Sequence, residues 1–302
     1  MGRQADANAV VPLPVRDGVA PSYLWIDEAA PGTALTYLDT RFPDVGAATW
    51  RERMARGDVV DGAGGTIAPD SPLRRGMRLW YYRELALETP IPFEETILFQ
   101  DDHLLVADKP HFLPTTPGGR FVRESLLVRL KQRTGIEALT PIHRLDRETA
   151  GVVIFSVRED SRGAYQSLFQ QRSIEKVYEA LAPPMPQRTF PFVYRSRMDK
   201  GTPFFTMREV EGEPNSETLV DLIGLRGDLA HYRLHPRTGR QHQLRVHMAA
   251  LGAPIANDGF YPVALACKGD DFAHPLKLLA RAAAFDDPIT GQRRRFESTR
   301  TL

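Results

Sequence analysis

The amino-acid sequence predicts an α+β fold with a mixed, largely antiparallel sheet, preceded by a small N-terminal module. Three observations carry this. Strand-length apolar runs and helical stripes do not alternate regularly, which argues against a doubly wound parallel sheet. The segment Asp287-Pro288-Ile289-Thr290-Gly291 lies between two strand-like runs and reads as a hairpin turn. Thr89-Pro90-Ile91-Pro92 has two prolines that block continuation of either element and marks a linker. The organisation expected is a flexible tail over residues 1–20, a small module over 21–90 and the main domain over 91–302.

Within the module, short helices are predicted over Ala34 to Phe42 and Thr49 to Arg56. Strands follow at Asp58 to Gly62, running into a turn, and at Met77 to Tyr82. In the main domain, Leu104 to Ala107 reads as a buried strand ending at Asp108-Lys109-Pro110. Ser125 to Thr134 has helical spacing through Leu126, Leu127 and Leu130, with Gly135 as its stop. Gly151 to Val157 is apolar and β-branched, hence strand, and Ala164, Leu168 and Phe169 form a helical stripe. Strands are predicted again at Glu175 to Leu181, Leu229 to Leu234, Leu278 to Phe285 and Arg293 to Phe296. A helix is predicted from Gly239 to Leu251, with Leu244 and Met248 toward the core. No internal repeat is present.

Composition excludes several classes. No apolar run approaches the ~20 residues that span a bilayer, and Met1 to Val15 lacks the pattern of a secretory signal. Cys267 is the sole cysteine, so neither an internal disulfide nor a multi-cysteine zinc site is available, and a reducing cytoplasm is the simplest setting. The formal net charge is only +1, but its distribution is uneven. From His231 to His247 there are four arginines, four histidines and no acid. Between Arg41 and Arg83 every basic residue is arginine, and basic residues outnumber acidic ones. Such patches suit phosphate neutralisation, although a solvated charged face gives the same pattern.

Chemistry concentrates in Pro141-Ile142-His143-Arg144-Leu145-Asp146-Arg147-Glu148-Thr149-Ala150-Gly151, just before a buried strand. A carboxylate between two arginines on a loop fixed by a strand suits a nucleophile or base, because nearby positive charge favours its ionised form. A loop salt bridge is the plainer reading of the same residues. The full string decides between them, since it resembles the H-R-L-D-x-x-T-S-G signature of the RluA family of RNA pseudouridine synthases. Three more segments are similar to that family in the expected order: Val106 to Pro110, Glu175 to Ala180 (its K-x-Y-x-A strand), and Thr238 to His247 (its T-G-R-T-H-Q-I-R-V-H). The last leads to Pro254-Ile255-Ala256-Asn257-Asp258, and the resemblance runs from about Leu98 to Phe296.

The resemblance implies a pseudouridine-synthase catalytic domain with a central RNA-binding cleft, acting on uridines of large-subunit ribosomal RNA or transfer RNA. It implies Asp146 as the essential carboxylate, Tyr178 as the tyrosine packed on the target base and a candidate general base, and Arg245 as the partner of Asp146. Arg144 matches a position that fills the gap left by a flipped base, and His143 reads as structural. His143, Arg144, Arg147, Thr149, Lys176, Arg240, His242 and Gln243 together are the substrate-binding candidates. Extruding the uridine costs a few kcal/mol, and a planar cation in the vacated stack offsets part of it. No hydride, phosphate or redox event occurs, and neither a dinucleotide loop nor a P-loop is found. No cofactor is therefore expected, and no membrane partner. The chain is expected to be a monomer with RNA as its partner.

Departures from the family pattern are Ala150 for Ser, Asn257 for Gly, Leu278-Leu279-Ala280 for L-H-A, and Asp287-Pro288 for H-P. Three rival readings compete with this one. His231, His235, His242 and His247 have no metal-ligand spacing. An RNA-binding protein that had lost catalysis would share the basic patches but need not keep Asp146, Tyr178 and Arg245 together. A structural scaffold would leave Tyr178 an ordinary strand tyrosine. The module, with Trp50-Arg51-Glu52-Arg53, Gly57 to Val60 and Arg75 to Leu79, faintly resembles the S-four-like RNA-binding unit, against the alternative of a packed extension.

Overall fold

The computed structural model describes residues 11–27, 32–84, 88–265 and 271–302. Cys267 lies outside the described residues. The chain forms two compact units, residues 1–88 and residues 89–302. Among the described residues no helix is long and apolar enough to cross a membrane.

The first unit contains β1 (Ser22–Trp25), α1 (Ala34–Arg41), α2 (Ala47–Ala55), β2 (Val59–Val60) and β3 (Arg78–Tyr81). Its strands form an antiparallel sheet in the order β1-β3-β2. Thr33 caps α1 by accepting from the Thr36 amide at 3.3 Å. Ile26, Leu38, Trp50, Val59 and Leu79 are fully buried between helices and sheet. The strand β1 was not anticipated, because its exposed and half-buried residues give no clear alternation. The expected flexible tail falls in part on residues 1–10, outside the described residues. Residues 11–20 are packed rather than free: Leu13 and Val19 are buried, Arg16 pairs with Asp58 at 2.6 Å, and the Pro14 carbonyl accepts from Tyr82 at 2.7 Å.

The second unit contains β4 (Thr96–Gln100), β5 (Leu104–Lys109), α3 (Leu126–Thr134), β6 (Thr140–Pro141), β7 (Ala150–Ser156), α4 (Glu159–Gln170) and β8 (Glu175–Ala182). It continues with β9 (Phe192–Lys200), β10 (Met207–Val210), β11 (Ser216–Arg226), β12 (Leu229–Pro236), α5 (Gln243–Ala250), β13 (Leu278–Asp286) and β14 (Arg293–Glu297). All its strands join one sheet in the order β10-β9-β11-β12-β8-β13-β7-β5-β4, with β14 added to β13 and β6 to β7. Every pairing is antiparallel except that of β13 with β7. The sheet is thus mixed and largely antiparallel.

The two faces of β5 and β7 feed different cores, as the two-residue strand period requires. Leu105, Ala107, Val153 and Phe155 pack with α3 residues Leu126 and Leu130. Leu104, Val106, Val152 and Ile154 pack with Tyr165 of α4 and with Phe285 and Phe296. A third core places Leu244 and Met248 of α5 against Ala180, Val220, Tyr232 and Leu234. The region β9 to β11 was not read as strands, because charged residues alternate along β9 and Asp221 and Gly224 interrupt the apolar run of β11.

The helix expected from Gly239 instead begins at Gln243. His242 takes a left-handed conformation, φ 53°. The Gln243 carboxamide oxygen accepts from the Arg240 amide at 3.1 Å and from Thr238 Oγ1 at 2.7 Å, so a side chain holds residues 238–242 as a turn where helical bonds were expected. Asn257, also left-handed at φ 63°, fits where the related pattern has glycine, and its Nδ2 donates to the Pro275 carbonyl at 3.0 Å.

Gly151 sits where β7 meets β13 in parallel, opposite Ala280, with φ +115°. A Cβ there would lie 2.2 Å from the Ala280 carbonyl oxygen. Gly151→Ala should therefore lower unfolding free energy by about 3 kcal/mol or more, combining backbone strain with overpacking. Gly135→Ala is the comparison, since Gly135 is left-handed too (φ +70°) but has nothing within 4 Å of such a Cβ, and should cost only about 1 kcal/mol. Urea unfolding of both variants tests this, and equal losses would remove the close-approach explanation.

Candidate active site

Every site residue predicted from sequence lines one cavity of about 590 Å3, at the meeting of the β6–β7 loop, β8, the β12–α5 turn and α5. The loop bearing Asp146 is pinned from below. Thr115 Oγ1 donates to the Leu145 carbonyl at 2.9 Å and accepts from the Leu145 amide at 3.1 Å. Lys109, wholly buried, donates from Nζ to the carbonyls of Pro110, Leu113 and Arg147 at 3.0, 2.7 and 3.1 Å. Burial pushes its pKa down to about 7, against the raising charges of Glu148 and Asp146. The Thr149 amide closes the turn onto the Asp146 carbonyl at 3.1 Å, and the Thr149 side chain is buried.

The arginine facing Asp146 comes from α5, not from the loop. Arg245 Nη1 donates to Asp146 Oδ2 at 3.3 Å. Its firmer partner is Asp258, contacted bidentately by Nε at 2.8 Å and Nη2 at 2.6 Å. Glu148 lies 3.6 Å from Nη1. Burial alone would lower the Arg245 pKa, but the hydrogen bonds and charge of Asp258, then the charges of Asp146 and Glu148, raise it instead. The guanidinium also lies over the Phe260 ring, 4.6 Å from its centroid. Asp258 in turn accepts from the amides of Phe260 and Tyr261 at 2.8 and 3.3 Å.

The charge facing Asp146 comes from Arg245, the partner the resemblance implies, and not from the two arginines beside it in the chain. Arg147 packs over Phe121 at 4.9 Å and lies 3.6 Å from Glu148, its side chain nearly buried. Arg144 is exposed on the cavity rim. The local charge at Asp146 is therefore set by a residue 99 positions away.

Other candidates divide into those facing the cavity and those holding it together. Tyr178 lines it from β8, half-buried between Leu234 and Ala280 on the neighbouring strands. Burial, then the Asp146 charge, raises the Tyr178 pKa, so the phenol is neutral near pH 7. Lys176 donates to the Thr238 carbonyl at 3.1 Å, and burial with Arg172 nearby lowers its pKa to about 8. Arg240 is exposed, with Nε 3.2 Å from the Asn215 carbonyl. His242 approaches Asp146 Oδ1 to 3.8 Å through Nε2, while Nδ1 meets the Tyr261 hydroxyl at 2.8 Å.

His143 and Gln243 are structural. His143 Nε2 accepts from the Ile154 amide at 3.1 Å and its ring stacks on Phe169 at 4.6 Å. Burial holds its pKa at about 3, consistent with an unprotonated acceptor. Gln243 spends its oxygen on the turn and its Nε2 on the Glu217 carbonyl and Thr218, at 2.9 and 3.0 Å. The other histidines of the basic segment have separate neighbours: His231 meets Glu179 at 3.1 Å, and His247 meets Ser216 and Thr218 at 2.9 and 3.0 Å.

The sequence reading missed Asp258, Glu148, Lys109 and Thr115 as parts of the site. Asp258 stood in a segment already singled out, and the signal for it was a buried arginine needing a second carboxylate.

The RNA pseudouridylate synthase family model matches residues 103–250, which span Asp146, Tyr178 and Arg245. A dual-specificity RNA pseudouridine synthase RluA of Pasteurella multocida is 33% identical over 211 residues, covering 64% of this chain and 88% of that protein. The tRNA pseudouridine(31) synthase of Saccharomyces cerevisiae is 30% identical over 200 residues, 55% of this chain and 46% of that one. Among solved structures, human RNA pseudouridylate synthase domain containing 4 superposes with TM-score 0.52 at 27% identity, over 68% of this chain and 88% of that one. Fold, cavity and sequence thus define an enzyme that isomerises uridine to pseudouridine in RNA. The chain belongs to the RluA-type family of RNA pseudouridine synthases.

Asp258 reaches neither the cavity nor Asp146 directly; it anchors the arginine that does. Asp258→Asn should destabilise the fold by about 3 kcal/mol by leaving Arg245 buried without its main partner, and should sharply lower pseudouridine formation. Denaturant unfolding and product assay of this variant check both, and wild-type stability would show the pair is not what holds the site.

Proposed function

We propose that Asp146 is the catalytic carboxylate, acting on a uridine extruded from transfer RNA or large-subunit ribosomal RNA into the cavity beside Tyr178. One observation carries this. Three carboxylates surround Arg245, and only Asp146 lines the cavity, its side chain 26% exposed against 15% for Glu148 and 0% for Asp258. A fixed, ionised oxygen at the floor of a pocket of nucleoside size is the arrangement the reaction needs. The transfer RNA substrate class is supported by the name of the yeast relative.

In this reading Asp146 drives breakage of the N1–C1′ bond. The uracil turns while detached, a C5–C1′ bond forms, the C5 proton leaves and N1 gains one. Atoms and charge balance, and no electrons leave the substrate. Tyr178 walls the pocket so that the detached base does not escape. Part of what keeps its phenol protonated is the Asp146 charge. The Tyr178 hydroxyl, at the cavity wall, is the candidate acceptor of the C5 proton after the C5–C1′ bond has formed. Arg144, exposed at the rim, fills the place of the flipped base, and Lys176 and Arg240 take phosphates. The protein acts as a cytoplasmic monomer.

Asp146→Asn should reduce product to background while RNA binding persists, since shape is kept and the ionised oxygen is lost. Tyr178→Phe should bind RNA but form product about 100-fold or more slowly. Pseudouridine mapping in RNA treated with each variant, alongside filter binding, tests the set. Substantial product from Asp146→Asn would reject the assignment. Near-normal turnover by Tyr178→Phe, with loss in Tyr178→Ala, would leave the tyrosine only as a wall.

The first unit is proposed to add RNA affinity through exposed arginines, as its faint S-four-like pattern implies. Of the helix arginines, Arg53 is buried and donates to the Glu84 carbonyl at 2.9 Å, and Arg56 pairs with Asp58 at 2.8 Å. Arg51, Arg74 and Arg75 are among the exposed arginines of the unit. Replacing these three by Gln should flatten the log–log salt dependence of RNA binding by about two units, somewhat under one per phosphate contact. An unchanged slope would make the unit a packed extension.

A further inference from the structure

Outside the cavity, the most anomalous side chain is Phe204, on the loop joining β9 to β10. It is 88% exposed, more than any other large apolar residue among those described. Folding gives no reason for a phenylalanine there, because it buries almost nothing. Nor is it a loose tip. The loop is closed by the Gly201 amide to the Thr206 carbonyl at 2.9 Å and by the Thr206 amide and hydroxyl to the Pro203 carbonyl, at 2.9 and 2.7 Å. Gly201 is required, because a Cβ there would lie 2.5 Å from Thr206 Oγ1.

The loop is tied to the catalytic turn. The Tyr261 hydroxyl accepts from the Met207 amide at 2.8 Å and meets His242 Nδ1 at 2.8 Å. Gln241 Nε2 donates to the Phe205 carbonyl at 3.4 Å. The rings form a continuous series. Phe204 meets Phe205 edge-on at 5.6 Å, Phe205 meets Phe260 at 5.3 Å, and Phe260 meets His242 at 5.5 Å, whose Nε2 is 3.8 Å from Asp146. An aromatic series thus runs from open solvent to the candidate nucleophile, and Lys200 and Arg208 are exposed at the ends of the flanking strands.

We propose that Phe204, backed by Phe205, is a stacking subsite for an unpaired nucleobase of the RNA that flanks the target uridine. The inference rests on the Asp146 cavity being the catalytic site. Flipping a uridine out of its stack strips its neighbours of a stacking partner. A displaced neighbour has a bare π-face, and a rigidly presented aromatic ring at the rim replaces the lost contact whatever the base identity. A protein partner would be expected to meet a broader apolar face than one such ring. The subsite therefore acts in binding and register and touches no reacting atom.

The test compares Phe204→Ala and Phe204→Trp with wild type and Asp146→Asn, all as full-length chain. Phe204 is exposed, so both variants keep the fold. With total RNA from cells lacking the gene as substrate, Phe204→Ala should raise KM about ten-fold, the order of one lost base–aromatic stack, and lower kcat by no more than about two-fold. Phe204→Trp should restore KM. With single-uridine cytidine nonamers in which 2-aminopurine is walked away from the uridine, wild type should quench fluorescence at one position. Phe204→Ala should lose that quenching and Phe204→Trp keep it. A KM for Phe204→Ala equal to wild type, or equal losses in both variants, overturns the subsite. So does a change confined to self-association in sedimentation, which would place a second copy of the chain on Phe204. Product formation by Asp146→Asn overturns the catalytic assignment instead, so the two failures are distinguishable.

Discussion

A guanidinium removed from water has to be met by carboxylates, and much of the architecture around Arg245 follows from that requirement. The Arg245 side chain is 1% exposed. An unpaired charge so deeply placed would cost several kcal/mol, so the fold supplies Asp258, Glu148 and Asp146 around it. These acids come from two places far apart in the chain, and α5 contributes the cation between them. One ionic cluster therefore fixes the helix, the turn at residues 258–261 and the β6–β7 loop in one arrangement. Asp146, the least buried of the three acids, keeps an oxygen toward the cavity, so the constraint that stabilises the cluster also orients the carboxylate proposed for the chemistry.

The strand β5 makes a second junction by placing opposite charges on opposite faces. Asp108, fully buried, accepts from Ser298 Oγ at 2.8 Å and from the Thr299 amide at 2.8 Å, tying down the segment after β14. Its neighbour Lys109 holds three carbonyls under the Asp146 loop. Adjacent residues on a strand point to opposite sides, so a Asp-Lys pair joins the end of the chain to the floor of the site across the sheet. Gly151 completes the junction, since only the smallest residue lets β7 approach β13 closely enough for their parallel pairing.

The electrostatics of the cavity separate roles among similar residues. Lys109 and Lys176 both have lowered pKa values, about 7 and about 8, from burial. Lys109 is sealed among backbone carbonyls, whereas Lys176 lines the cavity and donates to the Thr238 carbonyl. His143 and His242 both have lowered pKa values and so favour the neutral ring near pH 7, but one accepts from a backbone amide and the other faces the Asp146 carboxylate. Residue type alone assigns none of these roles; depth and neighbours do.

The sequence by itself determined the α+β class, most of the strands and helices of the main domain, and eleven of the residues that line the cavity. Strands such as Leu104–Lys109 and Ala150–Ser156 carry unbroken apolar runs, and the four motifs carry resemblance that local pattern retains. It did not determine β9 to β11, whose half-exposed faces alternate charge with apolar residues, nor the turn before Gln243, where side-chain hydrogen bonds displace helical ones. Chain order alone offered Arg144 and Arg147 as the cations beside Asp146, and only the family resemblance pointed to Arg245. Arg144 and Arg147 are the neighbours of Asp146 in the chain, yet a tight loop turns one outward and packs the other on Phe121. Which cation reaches the carboxylate is a through-space question, because Coulomb energy depends on distance and burial and not on sequence separation. The tertiary structure carries α5 across to the β6–β7 loop, where Arg245 meets Asp146 as the resemblance implied, and it alone shows Asp258, 13 residues away, as the firmer partner.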